Sequence, residues 1–204
     1  MVLPLLAKIG FKKRAGYLFT FDLAPDVLGS LGLNRATRHR LPGEVEINPV
    51  VGVRFQAVER IVAQCRAEKF HPYLPPTISS PIGYLMPEKK YKGWVFTPGH
   101  LEEVATDMAG AIALHGLAFM RSVVDLGALR HRLQDGLGFE HQRVYRRPAA
   151  ALVAGEIQQA RALLDDGLVA LGARTDAAAA EFRKFAEAFR SRLPSSLALR
   201  RLEI

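Results

Sequence analysis

The chain has 204 residues, of which 49% are hydrophobic and 24% are charged. This composition is typical of a folded globular protein and excludes a disordered or fibrous one. The longest uncharged stretch near its middle, residues 108–120, is shorter than the roughly 20 apolar residues that cross a bilayer. The apolar start, residues 1–9, lacks the preceding charges and the cleavage site of a signal peptide. We therefore expect a cytoplasmic protein that does not contact membranes.

The net charge of +8 is unevenly distributed along the chain. Residues 1–72 hold 11 basic and 6 acidic side chains, residues 73–147 hold 9 and 7, and residues 148–204 hold 8 and 7. The excess in the first third can attract an anionic partner. The alternative is an ordinary solvated surface of an arginine-rich protein.

The first third of the chain predicts a helix followed by strands. Residues 4–9 form a short helix that ends at Gly10, and a basic turn at 12–14 leads into a strand over 17–23 with alternating apolar residues. Residues 24–43 are expected to be a long exposed loop, with a short helical turn over 25–31. A second strand covers 44–55, where Pro49 indicates an edge strand, a bulge or two strand pieces.

The middle of the chain predicts further helices and short strands. Residues 56–69 have helical spacing, residues 71–81 hold four prolines and are irregular, and short strands cover 82–85 and 93–97. A helix begins at Thr97 and Pro98, with the threonine as its cap. A short helix follows over 126–137.

After residue 147 the composition becomes rich in alanine and strand patterns disappear. Residues 149–171 and 177–193 predict a helical hairpin with Phe182, Phe185 and Phe189 on one face. This face must dock on the first domain or on a partner. The order of elements predicts an α+β fold, with a mostly antiparallel sheet packed against helices. We expect an α+β domain over 1–147 and a helical hairpin over 148–204.

The opening of the chain carries a resemblance to a known family. The matching residues are Gly10 to Arg14, Phe19, Ile47-Asn48, Trp94 and Gly116 to Phe119. Over about residues 3–137 they resemble a bacterial family of unknown function that opens with the motif GFKKRG-x-F. Ala15 departs from it, because the family usually has glycine there. The resemblance implies no catalytic residues, since none is assigned to the family.

No arrangement of residues in the sequence points to catalysis or to a metal or other cofactor. The best local cluster, His100 with Glu102 and Glu103, occurs at a helix start, where acidic residues compensate the helix dipole. His115 lies on an apolar stripe, which favours a core histidine over a catalytic one. Cys65 falls on the buried side of its helix, which favours a packing role over a nucleophile. We expect no metal and no cofactor, and these residues favour a binding role over an enzymatic one.

One set of polar residues is a candidate binding site. Arginine binds carboxylate or phosphate groups through two hydrogen bonds, and asparagine can both donate and accept them. The candidates lie at the turn into the first strand, in the long loop and in the second strand: Lys12, Lys13, Arg14, Asn34, Arg35, Arg38, Arg40, Asn48 and Arg54. The alternative is that Arg14 and Arg54 form surface ion pairs with Glu44 or Glu46.

These observations lead to competing functional hypotheses. The first is a non-enzymatic protein that binds another protein, as an accessory or immunity-like module. The second is a nucleic-acid or phosphate-ligand binder that uses the basic N-terminal third, and it predicts salt-dependent affinity. The third is a hydrolase built around His100 or His141.

Overall fold

A computed structural model describes residues 2–36 and 42–194 of the chain. The fold is α+β, as the sequence predicts, with an antiparallel sheet, helices packed against it and more helices toward the C-terminus. The strands are β1 Lys12–Ala15, β2 Leu18–Ala24, β3 Val27–Arg35, β4 Val45–Phe55, β5 Ile78–Pro81 and β6 Trp94–Phe96. The α-helices are α1 Val2–Ile9, α2 Gln56–Cys65, α3 Leu101–Ala111, α4 Leu117–Arg121, α5 Leu126–Gln134, α6 Glu140–Val153, α7 Ile157–Leu171 and α8 Ala177–Arg190.

The chain divides into two compact units. The first, the sheet unit, combines residues 1–55 with 73–128, and the second, the helical unit, combines 56–72 with 129–204. The helical unit therefore includes α2 and α6 in addition to the C-terminal helices. The sequence analysis divides the chain differently, into domains over 1–147 and 148–204, on the basis of composition. That division stays a prediction.

The sheet unit is organised around β4, which has strand partners on both sides. The order β1-β2-β3-β4 is antiparallel throughout, and the other side of β4 pairs with β5 over residues 50–53 and with β6 over residues 45–47. One face of the sheet carries buried Phe19, Leu31 and Val51. Gly116, at the end of a π-helical segment over Ile112–Gly116, lies close to Val51 on this face. The core of the unit therefore lies between this face and the helices.

Pro49 lies inside β4 without interrupting its pairing with β3. Leu33 pairs opposite Pro49, and the Leu33 N–H donates to the carbonyl oxygen of Tyr17 in the turn after β1. The main chain of Leu33 thus faces β2, so that of Pro49 faces away from β3. On that side neither β5 nor β6 pairs with Pro49. The missing N–H of proline therefore removes no ladder hydrogen bond, and β4 is one continuous strand.

The prediction of a long exposed loop over 24–43 is wrong for residues 27–35. These residues form β3, a mostly buried strand paired with both β2 and β4. The glycines of this segment make its composition typical of a loop. Gly29, however, lies close to the side chain of Met120. A methyl group on it would lie 2.7 Å from the sulfur of Met120, which is too close for a carbon atom. The predicted helical turn over 25–31 is likewise absent, and residues 37–41 lie outside the described residues.

Three other local predictions are corrected. The basic turn over 12–14 is strand β1. The predicted strand 82–85 is a single 3-10 turn over Ile82–Tyr84, and the strand is β5, just before it. Helix α3 begins at Leu101, not at Pro98, because Gly99 has a φ of +92° and interrupts the helical path. Thr97 is therefore not its cap.

In the helical unit, the predicted helix 149–171 is two helices. Helix α6 begins at Glu140, continues through Pro148 and ends at Val153, and α7 begins at Ile157. Gly155, with a φ of +79°, lies in the break. Left-handed backbone of this kind commonly ends a helix at glycine. Helix α8 matches the prediction, and Asp176 caps it by accepting from the Ala179 N–H. Arg174 and this bond lower the pKa of Asp176 to about 2.

The phenylalanine stripe of α8 is buried within the helical unit. Phe182 and Phe185 make edge contacts with the ring of Tyr145 on α6, at 5.4 and 4.9 Å between ring centroids. Such pairs add to the stabilisation from burial. Beside them Arg146 of α6 and Glu59 of α2 form a buried ion pair, with 2.8 Å between Nε and Oε1. The stripe therefore docks on the chain's own helices.

No single helix among residues 2–36 and 42–194 is long and apolar enough to cross a membrane. The bent pair Leu101–Arg121 and Leu126–Gln134 meets that test by length and composition only.

Replacing two glycines of the sheet unit by alanine should change the free energy of unfolding in opposite directions. A methyl group on Gly52 would lie 2.6 Å from the Ile78 carbonyl oxygen, whereas one on helical Gly110 meets nothing within 4 Å. We expect Gly52→Ala to lower the free energy of unfolding by about 1–3 kcal/mol, and Gly110→Ala to raise it by about 0.5–1 kcal/mol. Urea denaturation followed by the fluorescence of Trp94, the chain's one tryptophan, measures both. Equal effects of the two substitutions would contradict the close packing at Gly52.

Candidate functional site

The three basic residues predicted near the N-terminus lie along β1, which is an outer strand of the sheet. All three are exposed. Lys12 forms an ion pair with Asp22. Arg14 donates from Nε to the hydroxyl of Thr20 at 2.8 Å, and its guanidinium lies 4.5 Å from the centre of the Tyr73 ring. Lysines on an edge strand also discourage pairing with foreign strands. Two of the three basic side chains of β1, Lys12 and Arg14, therefore already contact other residues of the protein.

The other candidates are only partly brought together. Asn34 and Asn48 are opposite each other in the β3–β4 register, and Asn48 donates to the main-chain oxygen of Lys92 at 3.1 Å. Arg35 follows Asn34 and so points to the opposite face of the sheet. Arg54 is buried, donates to the Pro75 carbonyl oxygen and lies six residues, roughly 20 Å, along β4 from Asn48. Arg38 and Arg40 lie outside the described residues.

The fold adds an aromatic residue that the sequence analysis did not include. Tyr17 is 65% exposed in the turn between β1 and β2. Its carbonyl oxygen accepts from the Leu33 N–H, which places the turn beside the end of β3, where Arg35 is exposed. No partner is seen for Lys13 or Arg35 in the described part of the chain. Tyr17, Lys13 and Arg35 come close together only because β1, β2 and β3 pair in this register.

A second candidate site is an open surface depression between β6 and the start of α3, which we call the β6–α3 depression. Its volume is about 450 Å³. The polar and aromatic side chains that line it are Lys92, Trp94, Thr97, His100, Glu103 and Asp107. Of these, the sequence analysis named His100 and Glu103 as a local cluster, whereas it did not name Lys92 or Asp107.

Polar residues of β4 fix one wall of the β6–α3 depression. Glu46 is buried and accepts from the Tyr91 hydroxyl at 3.0 Å. Asn48 binds the main chain of Lys92. Gly93 lies so close to Glu46 that any side chain there would collide with the carboxylate. These contacts hold residues 91–93 against the sheet and so position Lys92 and Trp94.

The floor of the depression is a hydrogen-bonded group. The buried Trp94 indole N–H donates to Asp107 Oδ2 at 2.7 Å. The Lys92 ammonium lies 3.8 Å from the same oxygen and 4.9 Å from the centre of the indole ring. Asp107 is thus held by an indole and an ammonium while most of its side chain stays exposed.

The rim of the depression carries His100 and Glu103, one helical turn before Asp107. His100 Nδ1 and Glu103 Oε2 are 3.3 Å apart, and the two side chains are 68% and 81% exposed. Apart from His100, the lining holds one positive charge, that of Lys92, and two negative charges, those of Glu103 and Asp107. The depression is therefore negatively biased on a protein whose net charge is +8.

The remaining candidate groups have other surroundings. Within residues 2–36 and 42–194 no three or more histidine, cysteine, aspartate or glutamate residues form a group that could hold a metal ion. Cys65 is buried, as expected, and burial raises the pKa of its thiol although Arg192 opposes this. His115 is half-buried in the π-helical segment. His141 is exposed beside Phe139.

Comparison with known protein families, curated proteins and solved structures finds no match. The resemblance of residues 3–137 to a bacterial family of unknown function therefore stays a prediction. The fold and the surface sites define an α+β protein with shallow, charged depressions.

The contact between Trp94 and Asp107 can be tested by substitution. Asp107→Ala leaves the buried indole N–H without its acceptor, and we expect a loss of about 1–3 kcal/mol in the free energy of unfolding. Asp107→Asn keeps an acceptor oxygen and should cost clearly less. Urea denaturation followed by Trp94 fluorescence measures both. An equal loss in the two variants would show that the carboxylate's charge matters more than its acceptor.

Proposed function

We propose that this protein is a non-enzymatic binding protein that docks on another protein through the β6–α3 depression. The observation that carries the proposal is the pair of exposed carboxylates, Glu103 and Asp107, over a floor held in place by Trp94 and β4. Their negative charge is complementary to a lysine or arginine side chain of a partner.

The shape of the depression supports a protein partner over a small molecule. Small-molecule sites enclose most of their ligand and are lined mainly by apolar side chains. The β6–α3 depression is wide and open, and its charged side chains share the lining with Trp94 and two valines. A side chain that projects from a partner's surface can enter it without being fully enclosed, while the surrounding surfaces supply the rest of the interface.

The exposure of the rim favours binding over catalysis. Catalytic acids and bases usually lie in shielded positions, where burial and neighbouring charges adjust their pKa values. The side chains of His100 and Glu103 are more than two thirds exposed. Such solvent-exposed side chains are better suited to binding a charged group of a partner than to transferring a proton, as a hydrolase would require.

The test is affinity capture from a lysate of the source organism, using the wild-type protein and two variants as bait. The double variant Glu103→Gln with Asp107→Asn removes the negative charge and keeps the hydrogen-bond acceptors. The matched control is Glu102→Gln, an exposed carboxylate on the same helix that does not line the depression. We expect the double variant to lose about tenfold or more of a captured partner and the control to retain it, because charged hydrogen bonds contribute about 1.5–3 kcal/mol each. No captured protein, or equal capture by all three baits, would refute the proposal.

The exposed Tyr17 favours a second candidate function, binding of single-stranded nucleic acid at the N-terminal end of the sheet. A base can stack on an exposed aromatic ring while nearby cations contact phosphates. Lys13 and Arg35 are exposed near the turn that holds Tyr17. In this proposal the basic first third of the chain contacts the phosphate backbone.

Fluorescence anisotropy with labelled single-stranded DNA and RNA at two salt concentrations tests this second function. We expect binding that weakens with salt, and Arg35→Ala should reduce the slope of log K against log salt by about 0.7. Tyr17→Ala should weaken binding by about 1–3 kcal/mol through lost stacking. Lys90→Ala, at an exposed lysine elsewhere in the sheet unit, is the control. Affinity that does not depend on salt would exclude the phosphate contacts.

A further inference from the structure

The helical unit has a small notch where three helices meet, which we call the α5–α7 notch. Its lining consists of Arg130, Leu133 and Gln134 from α5, Arg147 from α6, and Gln159 and Leu163 from α7. The spacing explains the arrangement, because residues three and four apart share one face of a helix. The α5 residues are at i, i+3 and i+4, and the α7 residues are at i and i+4.

The lining of the α5–α7 notch combines hydrogen-bond donors, from arginine and glutamine, with two leucines that form its apolar base. Leu133 is buried and Leu163 is half-buried, while Gln134, Arg147 and Gln159 are exposed. Within the described ranges 2–36 and 42–194, no acidic side chain is part of the notch's lining. Two guanidinium groups and two amides therefore surround a position whose base is apolar.

The two arginines differ in the partners they already have. Arg130 binds both carboxylate oxygens of Glu156, at the start of α7, which neutralises its charge and fixes its plane. Among residues 2–36 and 42–194 no partner is seen for the guanidinium of Arg147. The notch thus retains one uncompensated positive charge beside a fixed arginine, and the side chains of Gln134 and Gln159 line the same notch.

The notch has room for a small polar group. Its volume is about 80 Å³, several times the roughly 10–15 Å³ of cavity that a single water needs. A carboxylate or phosphate group can therefore reach the donors that line it. A guanidinium with free N–H groups binds a planar or tetrahedral oxyanion through paired hydrogen bonds.

We infer that the α5–α7 notch is a binding site for a small oxyanion, a phosphate or carboxylate group, held chiefly by Arg147. The amides of Gln134 and Gln159 complete the donor set, and the leucines accommodate an apolar portion next to the anion. The site is independent of the β6–α3 depression, because its residues belong to the helical unit.

The test is a titration of the whole protein with inorganic phosphate, and separately with acetate, at constant ionic strength. Side-chain amide resonances of Gln134 and Gln159 in 1H–15N NMR spectra report the notch directly. We expect these resonances to shift saturably, and Arg147→Gln to weaken binding about tenfold, since it removes a charge-assisted pair of hydrogen bonds. Saturation by only one of the two anions identifies which oxyanion the site accepts.

The matched control is Arg132→Gln, at an exposed arginine of α5 outside the notch. It removes the same charge and should leave the affinity within about twofold, because long-range effects of an exposed charge are screened by salt. Circular dichroism of both variants verifies that the helical unit is folded. The inference is overturned if neither anion shifts the two glutamine resonances, or if Arg132→Gln weakens binding as much as Arg147→Gln.

Discussion

The sheet unit depends on the central position of β4. Nine of its eleven residues, 47–55, pair with β3 on one side, and residues 50–53 and 45–47 pair with β5 and β6 on the other. A strand buried between partners must have its main-chain polar groups satisfied on both sides. Pro49 is tolerated in this strand because it has no N–H to satisfy and its main chain faces the gap between β5 and β6. The surface segments that follow are built on this strand.

The polar side chains of β4 connect the sheet to the surface. Glu46 and Asn48 hold residues 91–93, and Arg54 holds the segment at Pro75. Burying such groups is unfavourable unless they are hydrogen-bonded, so each one defines where a neighbouring segment must lie. This is how the β6–α3 depression obtains a fixed wall and a fixed floor although its rim is exposed. A binding surface gains affinity when its groups are ordered before the partner arrives.

The sequence was sufficient for elements whose pattern is local. Strand β2, helix α2, α5 and α8 follow from alternation or helical spacing, and so does the buried side of Cys65. It was insufficient where glycine serves packing. Glycine is typical of a loop, but Gly29 lies inside the buried strand β3, where a methyl group would come 2.7 Å from the sulfur of Met120. The sites were also not predictable from local patterns. Tyr17 lies beside the end of β3 through strand pairing, and Trp94 reaches Asp107 through the packing of α3 against β6.

The sequence by itself determined the α+β class, the basic charge and the amphipathic faces, including the phenylalanine stripe of α8. These properties depend on composition and on periods of two or 3.6 residues, which are local. Only the tertiary structure decided that residues 27–35 are a buried strand, that Arg54 and Glu46 are buried, and that charged residues converge in two depressions. Those outcomes depend on strand register and on contacts between residues far apart in the chain, which no local pattern specifies.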